Sequence, residues 1–511
     1  MGEILAILMF VASLLAILIG FPVAFTLAGI ALVFSGIGTL YGVFDPFILS
    51  ALGSRYFGIM TNEVLTAVPL FIFMGVMLER SKLAEDLLKT MGQLFGELNG
   101  GLGISVILVG TLLAASTGIV GATVVTMGLL SLPILKNAGY DDKLSAGTIC
   151  ASGSLGQLIP PSTVLIFMGD ILQGANQTAQ LEMGNLSPTP ISVGQLFAGA
   201  LLPGLILVLL YMFWTAAKAI FNPSSCPGVK LSDEEKKDLP RKVIVALLPP
   251  LFLIFAVLGS ILAGIATPTE SASVGAVGTI VLASLKKMLN LSILKATMKS
   301  TLMISSMVFI ILLGASVFSL VFRGLGGEDI VYRALSSAPG GVTGAVLIVM
   351  IAIFFLGFFL DTFEIIFITV PIGAPILIRL GVDPIWLGVM IGMNLQTSFL
   401  TPPFGFALFY LKGVAGRSIS TINIYLGAMP FVGLQVIGMT LLFLIPDLAT
   451  WLPKKLFEPK TNTLFEETHR DHEIVNKQHN IDNFNNLFIA PNIENVQIDQ
   501  FEDLLKKEPE Y

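Results

Sequence analysis

Two patches of small polar residues, 242 positions apart, carry the residue types in this sequence most suited to chemistry. The first holds Ser152, Gly153, Ser154, Gly156 and Gln157 and runs into Pro160-Pro161; the second holds Asn394, Gln396, Thr397, Ser398 and Thr401 and runs into Pro402-Pro403. Their flanks also align: Pro133 meets Pro375, Gly139 meets Gly381 and Asp141 meets Asp383. A proline pair removes two backbone donors and disfavours helix just before it, so each copy reads as a helix broken in its middle. Two further polar spots interrupt apolar runs: Ser116, Thr117, Gly118 and Thr123 in one half, Asp361, Thr362 and Glu364 in the other. Hydroxyl, amide and carboxylate oxygens, together with carbonyls freed where helices unwind, form a hard donor set that suits Na⁺ and not a soft transition metal. Helix N-termini after the double prolines add partial positive charge, suited to an anionic group.

Gly, Ser and Thr also let helices approach closely without any further role. That both patches fall at matching repeat positions favours the functional reading. Asp361 is the sharpest single residue, because an ionisable group inside the apolar run GFFLDTFEIIF is costly and usually functional. A structural hydrogen bond to a freed backbone amide is the alternative. Glu364, one turn on, is either a helix-packing or a pore-side carboxylate. Glu270 is expected to stabilise the hinge at Pro268, and Asp170 to be an interface residue near a span end.

The elements that must position these residues follow from composition. Hydrophobic residues make up 54% of the 511 and charged residues only 12%, against roughly 25% charged in soluble domains. The apolar runs are long enough to cross a bilayer, at about 20 residues each. The chain therefore reads as an all-α polytopic membrane protein. The run after Met1-Gly2-Glu3 lacks a basic start and reads as a true span. The three histidines lie at 469, 472 and 479, and Cys150 and Cys226 form no metal or disulfide pattern. The apolar part thus offers no Cys/His metal cluster and no histidine base, which argues against an enzyme; no nucleic-acid partner and no cofactor are expected.

Segment order predicts two repeats, 1–221 and 243–447, joined by a linker at 222–242 and followed by a polar tail, 448–511. Each repeat has scaffold spans, a re-entrant hairpin (tips near 116–123 and 360–364) and a broken helix (142–171 and 384–413). Five crossings per half require the second half to be inverted. Lys and Arg sort accordingly: 17 on one side, 4 on the other and 7 in the tail account for all 28. The positive-inside rule makes the first side cytoplasmic, with both termini outside.

With the repeats, both double prolines, ATPTE (266–270) and FLDTFEIIFITVPI (359–372) in view, the chain resembles the large membrane subunit, DctM type, of tripartite ATP-independent periplasmic (TRAP) transporters. GYDDKLSAG, LIPPS, LGVDPIWLGV and LTPPFGFALFYL carry the resemblance, which spans about residues 3–447. It implies an elevator-type architecture of the ion-transporter superfamily in the bacterial inner membrane, importing a small organic acid by Na⁺ coupling. It further implies a small membrane subunit and a periplasmic substrate-binding protein as partners. By motif position, Ser116, Thr117, Gly118, Thr123, Ser152, Gly153, Ser154, Asp361, Thr362, Asn394, Gln396 and Thr397 would serve the ion. Gly156, Gln157, Pro160, Glu364, Ser398, Thr401 and Pro402 would serve the substrate. Glu364 departs from the small or apolar residue expected there. A stand-alone sodium-coupled anion symporter or antiporter of the same superfamily is the competing expectation.

Overall fold

A computed structural model describes residues 1–81, 83–229 and 233–457, without the side chains of residues 116, 117 and 233–235. The first half contains α1 (Gly2–Ile19), α2 (Val23–Leu40), α3 (Ala51–Met60), α4 (Glu63–Arg80), α5 (Leu83–Phe95), α6 (Gly101–Thr117), α7 (Val120–Asn137), α8 (Asp142–Ser154), α9 (Thr163–Glu182) and α10 (Val193–Phe221). The second contains α11 (Asp233–Leu262), α12 (Pro268–Leu285), α13 (Leu291–Gly324), α14 (Gly327–Ser336), α15 (Gly341–Leu356), α16 (Thr362–Ile368), α17 (Val370–Arg379), α18 (Pro384–Leu400), α19 (Phe406–Ala415), α20 (Thr421–Leu444) and α21 (Asp447–Phe457). No strand occurs among the described residues. Seven of these helices are long and apolar enough to cross a membrane, or nine if two bent pairs each count as one span.

The halves follow one order. Moved by 242 positions, α7 falls on 362–379, the stretch that α16 and α17 fill with a 53° bend between them. Packing is reciprocal: α2 lies on α13 as α4 lies on α12, and α9 lies on α17 as α7 lies on α19. A two-fold exchange of the halves gives that pattern. The early helices α1, α2, α4, α11, α12 and α13 form one layer, while α6 to α10 and α15 to α20 pack around the two breaks. Glycine makes the central seam possible. A Cβ on Gly147 would run into the Gly427 carbonyl, and one on Gly427 into that of Lys143, so α8 and α20 cross backbone to backbone.

Several expected boundaries are corrected. Within the expected linker, residues 225–229 are fastened to the first half, where Gly100 N–H donates to Cys226 O at 2.8 Å, Asp141 N–H to Ser225 O at 2.8 Å and Val229 N–H to Gly96 O at 2.6 Å, and α11 already begins at Asp233. A short loop in that position is held because its backbone completes the caps of its neighbours. The first broken helix does not end at 171: α9 runs on to Glu182, since Leu172, Ala175 and Ala179 supply a buried stripe at helical spacing. The tail does not start at 448: α21 packs on α10 and α18, with Ala449 buried against Gly199. Residues 458–511 lie outside the described residues. Within the first hairpin, α6 is too short to cross but α7, at 18 residues, is long enough, and the two-residue turn Gly118-Ile119 joins them.

Candidate functional site

Both broken helices begin with the same local device. Gly139 and Gly381 take positive φ, 81° and 96°, closing the preceding helix. Asp141 then caps α8, accepting from Lys143 N at 2.8 Å and Leu144 N at 3.1 Å. Asp383 caps α18 in the same way, from Ile385 N and Trp386 N, both at 2.9 Å. Each helix then runs into its double proline, and both proline peptides, 160–161 and 402–403, are cis. Past the breaks, α9 and α19 start with no side-chain cap. Their first-turn amides are therefore left for other acceptors.

The two tips differ. The first is a tight turn in which Gly118 takes φ +62° and a Cβ would crowd the Thr163 amide, so glycine is required twice over. In the second, α15 ends at Leu356 with Gly357 as C-cap, and α16 starts at Thr362 with Asp361 as N-cap. Asp361 and Glu364 form a capping box, in which the Glu364 carboxylate accepts from Asp361 N at 3.0 Å. Glu364 is thus both buried and partnered.

The four features meet pairwise. Thr163 Oγ1 donates to Gly118 O at 3.2 Å, joining the first break to the first tip. Gln157 Nε2 donates to Thr362 Oγ1 at 2.7 Å, joining the first break to the second tip. Gln396 Nε2 donates to Ser154 Oγ at 3.3 Å, joining the two breaks through positions that the 242-residue shift superposes. Gly357 lies against the Ser398 side chain, joining the second tip to its own break. Gln157 Oε1 and Gln396 Oε1 are buried with no protein partner. A buried amide oxygen left without a donor suits a cation and disfavours simple packing.

Ser152, Ser154, Thr397, Ser398 and Thr401 bond back to carbonyls three or four residues earlier in their own helices, at 2.7–3.2 Å. Each hydroxyl spends its proton on that carbonyl and keeps acceptor capacity, part of which Ser154 Oγ uses for Gln396 Nε2. Gly153 packs on Val124 and Gly156 beside Ala114, so both act through closeness to the first hairpin. Thr123 sits one turn inside α7, bonded to Ile119 O at 3.0 Å, and not at the tip. Asn394 is turned aside: its Nδ2 donates to Met350 O at 2.7 Å on α15. Pro160 and Pro402 supply the breaks. The side chains of Ser116 and Thr117 lie outside the described residues. Away from the site, Glu270 joins Thr267 in a capping box at the Pro268 hinge, and Asp170 accepts from Asn62 Nδ2 at 2.6 Å, bridging α9 to the start of α4.

Three contributors escaped the sequence reading. Tyr211, mid-span on α10 and fully buried, accepts from Gln396 Nε2 at 3.3 Å. Ser162 closes the first break by donating to Gly156 O at 2.8 Å. Tyr410 on α19 packs its ring on Gly121, so the second break's outgoing helix touches the first hairpin. A serine directly after a double proline is a usable signal for Ser162; a tyrosine in an apolar span gives none.

The comparisons with known proteins fit this geometry. The family model described as "Tripartite ATP-independent periplasmic transporter, DctM component" matches residues 8–448. The chain belongs to the DctM family. It is 28% identical over 480 residues to the C4-dicarboxylate TRAP transporter large permease protein of Vibrio cholerae, covering 89% of this chain and 99% of that one. It is 27% identical to the ectoine TRAP transporter large permease protein of Halomonas elongata, covering 85% and 96%. It is 28% identical to the sialic acid TRAP transporter permease protein of Haemophilus influenzae, covering 77% and 60%. Among solved structures, the YdaH transporter of Alcanivorax borkumensis shares the fold with a TM-score of 0.56 at 13% identity, over 80% of this chain and 88% of that one. MtrF of Neisseria gonorrhoeae does so at 0.54 and 14%, over 78% and 83%. As a DctM-family member the chain is a multi-pass TRAP permease and not an enzyme.

Proposed function

We propose that this DctM-family permease imports a small organic acid by Na⁺ coupling, through an elevator movement of the helices that hold the two tips and breaks. The observation that carries the reading is the buried junction of both breaks with the second tip. There Gln157 and Gln396 each spend their amide N–H on a partner from another element and leave an acceptor oxygen unmatched. Oxygen donors of that kind, beside uncapped helix N-termini, suit Na⁺ together with an anionic group. The division into a layer of early helices and a body around the breaks supports one part moving against the other. In this reading the second half is inverted relative to the first and both termini face outward; with Lys454 and Lys455 of α21 counted on the outer side, the 17-to-6 charge split still favours the cytoplasm for residues 222–242. Single-cysteine labelling with an impermeant reagent tests that orientation; labelling of the 222–242 stretch in intact cells refutes it.

The described loops are too short to capture a scarce solute. High-affinity capture is therefore assigned to a periplasmic substrate-binding protein, acting with a small membrane subunit, as the relatives' names as TRAP permeases support. Proteoliposomes decide this. Uptake down an inward Na⁺ gradient is expected only when the small subunit and the loaded binding protein are both present. Robust uptake of free substrate by the isolated chain favours the stand-alone symporter.

A further inference from the structure

A cavity of about 530 Å³ lies between α5 and the start of α11, away from the tips and breaks. Its charged walls are Asp86, Lys89, Asp238, Arg241, Lys242 and Lys286. Two of the cations are committed: Lys286 Nζ lies 2.5 Å from Asp86 Oδ2, and Lys89 Nζ 2.6 Å from Glu85 Oε1. Arg241 and Lys242 have no ion pair among the described residues. The same helix then turns apolar on one face. Val245, itself on the cavity wall, is followed by Leu248, Phe252 and Phe255, all more than half exposed. With Arg241 these positions advance by four, three, four and three residues, so they form a single stripe along α11. A polar, cationic cavity thus opens onto an exposed apolar track on a helix that is itself a candidate span.

We propose that this cavity is a phospholipid site. The phosphate of an anionic lipid sits on Arg241 and Lys242, and an acyl chain lies along Val245, Leu248, Phe252 and Phe255. Arginine recognises phosphate with a planar, two-pronged donor set, and lysine adds a point charge. The apolar stripe is what separates a lipid from a free phosphate ion, which would use the cavity and leave the stripe idle. Because α5 leads into the first hairpin while α11 opens the second half, a lipid here would join the two.

The test uses the purified full chain and native mass spectrometry with dioleoylphosphatidylglycerol, dioleoylphosphatidylcholine and inorganic phosphate. Replacing both cations (Arg241→Gln with Lys242→Gln) is expected to weaken phosphatidylglycerol binding roughly 30-fold, at about 1 kcal/mol per basic residue. Phosphatidylcholine binding should stay unchanged. A control pair outside the cavity, Lys295→Gln with Lys299→Gln, should leave phosphatidylglycerol binding as it was. Both pairs replace exposed side chains, and the elution profile reports folding independently. Equal loss in the control pair, no loss in the cavity pair, or displacement of the lipid by phosphate each overturns the proposal.

Discussion

The two tip-and-break pairs share a backbone plan and differ in chemistry. Moved by 242 positions, Ile119 falls on Asp361, Ala122 on Glu364, Gly156 on Ser398 and Gln157 on Phe399. The first tip is therefore a neutral glycine turn, and its break contributes the long polar arm, Gln157, that reaches Thr362. The second tip carries two carboxyl groups arranged as a capping box, and its break presents Phe399 packed against Phe406, rings tilted at 47°, where the first has an amide. Repetition fixes where helices end and cross, since Gly–Asp starts and proline stops recur in both copies. It does not fix what the site binds, because single substitutions at matched positions give one half charge and the other reach.

The largest expected effect removes the frame on which the two halves are compared. Gly427→Leu drives a side chain into the Lys143 carbonyl at the α8–α20 seam and should cost more than about 3 kcal/mol, read as loss of monodisperse protein. Gly433→Leu on the same helix meets open space and should change stability by less than about 0.5 kcal/mol. If both behave alike, the seam is not what holds the halves together.

Next comes the charged tip. Asn caps a helix about as well as Asp, so Asp361→Asn should leave thermal stability nearly unchanged. If the charge serves the ion, the Na⁺ needed for half-maximal uptake should rise by about tenfold, on the order of 1.4 kcal/mol. Unaltered Na⁺ dependence would return Asp361 to a purely structural cap.

The two amides set the first break against the second. Gln157→Leu strands the buried Thr362 hydroxyl and should cost about 1–3 kcal/mol in melting experiments. Gln396→Leu breaks two longer bonds, each 3.3 Å, to Ser154 and Tyr211, and should cost about 1 kcal/mol. Equal costs would erase the asymmetry between reach and charge. Uptake assays on the same variants show whether each unmatched oxygen matters beyond stability.

The sequence by itself determined the membrane class, the internal repeat, the four polar interruptions and the family. Each of these rests on local physics: bilayer length, proline's missing donor and the capping preferences of Gly and Asp act within a few residues, so they can be read in order along the chain. Tertiary structure alone decided which polar groups face one another. Nothing near Gln157 in sequence indicates Thr362, 205 positions on, and nothing about Tyr211 indicates Gln396. It also turned Asn394 toward Met350 and drew residues 447–457 into the packed body. Those outcomes depend on how helices distant in sequence cross, and a crossing is set by close approach at glycines such as Gly147 and Gly427. Local pattern shows that such residues are small, but not what they will touch.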